Sequence, residues 1–191
     1  MVARLIVGAI LLLVFQGCAP VLKGPIGPEG VEKASDSLDH GYSILMSLLK
    51  DEAKVDQLLA IKSASKETVQ ILRDVSQASI AAMAEIRAMA SKTPVVRLDE
   101  TGFPVVEVDS RNRIANQQAA TLLLAGSTFE LKVLLTQEKA MGYAAALCQS
   151  LAVADGNGYR SEAMGVLGDT FTALNASVLA RLLQMTEENN P

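Results

Sequence analysis

From Val31 to Ala90, and again from Ile114 to Met185, the apolar side chains recur at steps of three and four residues, a period that strands cannot use. Each such segment must bury one stripe against another helix. Leu38, Leu45, Leu48, Val55 and Leu59 predict an amphipathic helix over 31–62, with Glu52 interrupting the stripe. A break follows at Ser63 or Ser65, and Ser65 suits an N-cap. The stripe of Val69, Leu72, Ser76, Ser79, Met83, Ile86 and Ala90 predicts a second helix over 65–92. Its small residues, Ser76, Ser79, Ala82 and Ala90, predict a close approach to a neighbouring helix. Thr93-Pro94 should end it, because the residue before a proline avoids the α region.

The pattern then changes. Val95-Val96-Arg97-Leu98 and Pro104-Val105-Val106-Glu107-Val108 are β-branched runs flanking turn chemistry at 99–103. The connection 93–109 therefore reads as a small β-hairpin or as an extended crossover loop. Asp109 or Ser110 caps a third helix over 110–154, with Gly126 and Gly142 as its weak points. Asp155-Gly156-Asn157-Gly158 is a turn. Leu167, Phe171, Leu174, Val178, Leu182 and Met185 mark a last helix over 158–187, and residues 188–191 should fray. Two helical hairpins joined by a longer connection make an all-α domain over 31–187, arranged as an antiparallel four-helix bundle.

Ahead of the bundle, Arg4 and the uncharged run Leu5–Phe15 have the make-up of a signal peptide, and eleven residues are too few to cross a bilayer as a helix. No later run is expected to be long enough to span. Phe15-Gln16-Gly17-Cys18 resembles the lipobox of bacterial lipoproteins, with Phe15 where Leu is usual. The resemblance covers residues 1–18 and implies cleavage between Gly17 and Cys18, with acylation of Cys18. Two or more acyl chains hold a protein on a membrane stably, where one does so marginally. Ala19 in place of Asp implies, for an envelope with two membranes, the periplasmic face of the outer membrane. Residues 18–30 hold Gly24-Pro25-Ile26-Gly27-Pro28-Glu29-Gly30 and read as an extended tether, which Pro28 and Gly30 keep from becoming helical. At about 3.1 Å per residue such a tether reaches about 37 Å.

Chemistry is sparse. Lys+Arg 17 against Asp+Glu 21 gives a net charge of -4, which argues against nucleic acid as a partner. A bundle di-iron site needs Glu-x-x-His motifs, and the sequence has none. No phosphate-cradling glycine loop occurs, and Asp155–Val166 lacks the EF-hand ligand pattern. Metal and cofactor are therefore not expected. His40 should pair with Asp36 one turn earlier, and Cys148 reads as a core residue. No catalytic residues are assigned and the chain is not expected to be an enzyme. The absence of Trp and the small-residue stripes speak against a large cavity.

The expected role is a non-enzymatic scaffold, adaptor or assembly factor of the cell envelope, held to the membrane by its lipid. An inhibitor or immunity lipoprotein, which binds a toxin or lytic enzyme, is the alternative, followed by a small-ligand carrier. A protein partner is expected, and a homo-oligomer fits the same small-residue stripes. The candidate docking patch is Arg97, Glu100, Phe103, Arg111 and Arg113, on and beside the connection.

Overall fold

A computed structural model describes residues 28–99 and 103–188, with side chains from Asp36 onward. The signal peptide, the Gly17–Cys18 site, the tether as far as residue 27, Glu100 and residues 189–191 lie outside the described residues. Every regular element among the described residues is helical. The helices are α1 (Pro28–Glu52), α2 (Lys66–Ala90), α3 (Val105–Leu123), α4 (Phe129–Ala154) and α5 (Gly158–Glu188), with a 3-10 segment, Val55–Ala60, after α1.

Four expectations need correction. The helix α1 begins at Pro28, inside the expected tether, because a proline at the first helical position gives up only an N–H that would be unpaired anyway. It ends at Glu52 rather than near 62. There the Ser76 hydroxyl donates to the Ala53 carbonyl at 2.9 Å and to Asp56 at 3.2 Å, and the chain tightens into the 3-10 segment. The second run of the supposed hairpin, Val105–Val108, is the first turn of α3. Pro104 precedes it, its carbonyl accepts from the Glu107 and Val108 amides, and the pairs Glu107–Arg111 and Asp109–Arg113 run along the helix. Such local support outweighs the weak strand preference of valine. Finally, the helix expected over 110–154 is two helices, divided at 124–128 around Gly126, while Gly142 lies inside an unbroken α4.

Other local expectations match the structure. Ser65 is the N-cap of α2 and accepts from the Thr68 amide at 3.2 Å. At the 155–157 turn Asp155 accepts from the Asn157 amide, and Asn157 accepts from the Arg160 amide to cap α5.

Packing runs from α1 to α2, α2 to α5, α5 to α4 and α4 back to α1. The core among them includes Tyr42, Leu45 and Leu49 of α1 and Leu72 and Ile86 of α2. Val133, Met141 and Cys148 of α4 and Met164 and Phe171 of α5 complete it. Each such large side chain, fully buried, contributes about 1.5–3 kcal/mol. Ser76, Ser79, Ala82 and Ala90 are all buried, in keeping with the predicted close approach. Two glycines also mark close helix contacts. A Cβ on Gly41 would meet Leu151 at 2.8 Å, and one on Gly168 would meet Gln149 at 3.2 Å.

The fifth helix, α5, does reach the length and mean hydropathy of a membrane span, contrary to the sequence expectation. It packs along α4 through Ser161–Ala152, Asn175–Glu138 and Arg181–Glu130 contacts and carries buried Arg160 and Arg181. By contrast α3 lies at the edge and buries only Leu122.

Candidate functional site

The turn between α4 and α5 carries the most buried ion pair. The Asp155 and Arg160 side chains are 1% and 3% exposed. Arg160 donates through Nε at 2.6 Å and Nη2 at 2.9 Å, one bond to each carboxylate oxygen. The Tyr42 hydroxyl donates to the same carboxylate at 2.9 Å, and Arg160 Nη1 donates to the Pro94 carbonyl at 2.7 Å. Burial by itself would push the Asp155 carboxyl up. Arg160, the Asn157 amide and Tyr42 outweigh it and hold the group below the usual carboxylate range. Burial and the neighbouring carboxylate push the Tyr42 phenol up. The cluster joins α1, the connection and the α4–α5 turn, and its donors are engaged in holding them together.

Toward the start of α4, Glu130 accepts from the Ser65 and Thr68 hydroxyls, from the Ser65 amide at 3.2 Å, and from Arg181 Nη2 at 3.2 Å. Burial raises this carboxyl too, but the four donors leave it below its ordinary value. Arg181 also reaches Glu188 at 3.0 Å.

The predicted docking residues divide. Arg97 donates to Asp39 and Asp36, each at 2.7 Å, which fastens the connection to α1. Asp36 is thus engaged with Arg97, not with His40 as expected, and His40 stacks on Phe103 with ring centroids 4.7 Å apart. The Arg111 guanidinium lies 4.7 Å from the same ring. Phe103 and Arg111 therefore meet. Arg113 instead forms an exposed pair with Asp109 one turn away, and Glu100 lies outside the described residues.

The feature that stands apart is a cleft of about 710 Å³ bounded by α1, the 3-10 segment, α3 and α4. The low expectation of a large cavity is thus corrected: α3 buries only Leu122 and leaves a cleft open against α1 and α4. Leu48, Val55, Leu58, Ile114 and Leu122 supply apolar wall. Glu52 and Gln137 also line it, at 8% and 1% exposure. Burial pushes the Glu52 carboxyl up to about 7, against the lowering effect of a hydrogen bond from the Gln137 side chain and with a small push from Asp51. Glu52 Oε2 and Gln137 Oε1 have no hydrogen-bond partner among the described residues. Orphaned buried acceptors are uncommon, and each costs about 1–3 kcal/mol.

Neither residue is assigned a site by the sequence reading, yet a signal exists. Glu52 falls in the apolar register of Leu48 and Val55, and Gln137 falls midway between Val133 and Met141. Elsewhere, no group of three or more His, Cys, Asp or Glu among the described residues could hold a metal ion. Cys148 is buried in the core, where desolvation pushes its thiol up to about 12. A thiol held neutral in this way is a poor nucleophile.

Compared with protein-family models, with curated proteins and with solved structures, the chain matches none.

Proposed function

We propose that the protein is a non-enzymatic lipoprotein of the cell envelope that works by binding a small apolar ligand. Its anchor is an acylated Cys18, and the following alanine supports the periplasmic face of the outer membrane where the host has two membranes. The binding body is α1, α2, α4 and α5 arranged as an antiparallel four-helix bundle, with α3 as an outer wall. The observation that carries this reading is the cleft of about 710 Å³, a size ordinary for small-ligand sites, walled by Leu48, Val55, Leu58, Ile114 and Leu122. Native mass spectrometry of the lipidated protein, released from its own membranes in mild detergent, tests it. A bound species of defined mass beyond lipid and detergent is expected. Its absence, with no uptake of any apolar probe, would overturn the carrier reading.

The exposure of Val105, Val106 and Leu124 on and just after α3 favours a second reading, a scaffold or adaptor for another envelope protein. Photo-crosslinking from position 106 in intact envelopes separates the two. A discrete crosslinked protein favours the adaptor, and crosslinks to lipid alone count against it. For the anchor, Cys18→Ser should move the protein off the membrane fraction; unchanged fractionation would refute the acylation.

A further inference from the structure

The outer side of the α4–α5 pair carries apolar surface that the described residues leave uncovered. The contacts Arg181–Glu130, Asn175–Glu138 and Ser161–Ala152 set these two antiparallel helices in register. That register lays Leu183 and Leu179 beside Leu131 and Leu135, all four exposed and Leu183 the most, at 64%. They point away from the rest of the bundle: Thr136 and Ala140 of α4 turn to the cleft, and Ala180 and Gln184 of α5 turn to the groove beside α2. Further along the same two stripes the side chains shrink, to Gly142 and Ala146 on α4 and to Gly165, Thr172 and Ala176 on α5. Steps of three, four and seven residues keep each stripe on one helical face. The surface therefore has a leucine end and a small-residue trough, and neither stripe includes an ionisable residue.

Gly165 points to the occupant. A glycine inside a helix costs stability against alanine, and a close contact commonly accounts for it. A Cβ on Gly142 would meet Asn175 at 3.3 Å, and one on Gly168 would meet Gln149 at 3.2 Å, but one on Gly165 would meet nothing within 4 Å. A lipid surface would accept the leucines and has no use for the trough. A second copy uses both, because a two-fold axis across the helices sets the leucine end of each copy into the trough of the other. We propose that the chain forms an antiparallel dimer through this face, with Leu183 of one protomer against the partner's Gly165. The area suffices. Leu131 to Val153 spans about 33 Å at about 1.5 Å per residue, and two packed helices are about 20 Å across. Such a face covers about 650 Å² on each protomer and about 1,300 Å² in the pair, within the about 1,200–2,000 Å² that stable interfaces bury. The dimer is independent of the ligand-binding reading, whose cleft lies on the other side of α4.

The test uses the full chain in its own membranes and a short bis-maleimide. Copies carrying Leu183→Cys are co-expressed with differently tagged copies carrying Gly165→Cys, and the parent chain, whose Cys148 is buried, serves as the blank. The mixture should give a cross-linked pair at least about tenfold above either variant alone. In the antiparallel arrangement the two Leu183 positions lie about 27 Å apart, the length of α5 from Gly165 to Leu183, out of reach of the reagent. Adding Gly165→Leu to the Leu183→Cys copies fills their trough and should cut the mixed product about tenfold. That side chain has room within one protomer and favours the helix, so the melting temperature should not fall. If it does fall, Leu179→Ser on both copies takes its place and should cut the product in the same way. No mixed product, linkage of Leu183→Cys copies to one another at the same yield, or a yield that neither substitution changes would each overturn the dimer.

Discussion

Asp155 and Glu52 are both carboxylates taken out of water in the same helical core, and they are provided for in opposite ways. Asp155 receives donors from Arg160, Tyr42 and the Asn157 amide. Glu52 has only the Gln137 side chain to favour its charged form and keeps one oxygen unpartnered among the described residues. The first carboxyl is held below its ordinary range and the second is pushed up to about 7. A fully partnered buried charge fixes where helices sit. A half-partnered one burdens the fold, and Glu52 bears that burden in the lining of the cleft.

Breaking the Asp155 cluster should have the largest effect. Arg160→Ala leaves a buried carboxylate uncompensated and should lower unfolding free energy by about 3–5 kcal/mol in urea titrations. Replacing both partners, Asp155→Leu with Arg160→Met, should recover much of that loss. If the single variant proved as stable as the parent, Asp155 and Glu52 would not differ in the way described.

The second test reverses the sign. Raised from 4.5 to about 7, the Glu52 carboxyl binds its proton more tightly in the folded state. Its contribution is therefore fully present below about 4.5 and is lost as pH rises through about 7. Glu52→Gln should gain up to about 3 kcal/mol over the parent at pH 8 and nothing at pH 4, read from denaturation curves at the two pH values. Asp155 and Glu130 work the other way. Their folded-state values are depressed, so their stabilisation is present above about 4 and lost as pH falls through those lower values. A parent stability curve flat from pH 5 to 8 would contradict the assignment to Glu52.

Smaller effects refine the contrast. Ser65→Ala removes both the α2 cap and a donor to Glu130, and thermal melts should report a loss of about 1 kcal/mol. Arg113→Ala breaks an exposed pair one helical turn long and should change stability by no more than about 0.5 kcal/mol. A larger loss there would mean that α3 is held more firmly than its single buried residue implies.

The elements with local signatures are legible in the amino-acid sequence: the Ser65 cap, the 155–158 turn, and the weak point at Gly126, each visible within a few residues. What sequence reasoning misses is non-local or conditional. Tyr42 and Asp155 are separated by 113 positions, and no spacing rule links them. Val105–Val108 is β-branched, yet Pro104 and two i,i+4 ion pairs make it helical, since strand preference reports packing surroundings more than backbone. The cleft is half-legible. Glu52 is visible as a break in an apolar stripe, but whether such a residue faces solvent, a partner or a cavity depends on where α3 lies. The depth of the site depends on the split at Gly126, which a count of apolar steps passes over.

Lys62 Nζ donates to the Ala125 carbonyl at 2.8 Å just past the end of α3, and His40 and Arg111 hold Phe103 just before its start. Between those fastenings α3 buries a single residue. Its helix can therefore come apart and re-form without disturbing the core that α4 and α5 share, and solute exchange at the cleft need not wait for the protein to unfold. In deuterium the amides of α3 should exchange orders of magnitude faster than those of α4. An occupant wedged beneath would slow α3 while leaving α4 unchanged, so that residence time in the cleft is set by the breathing of one helix.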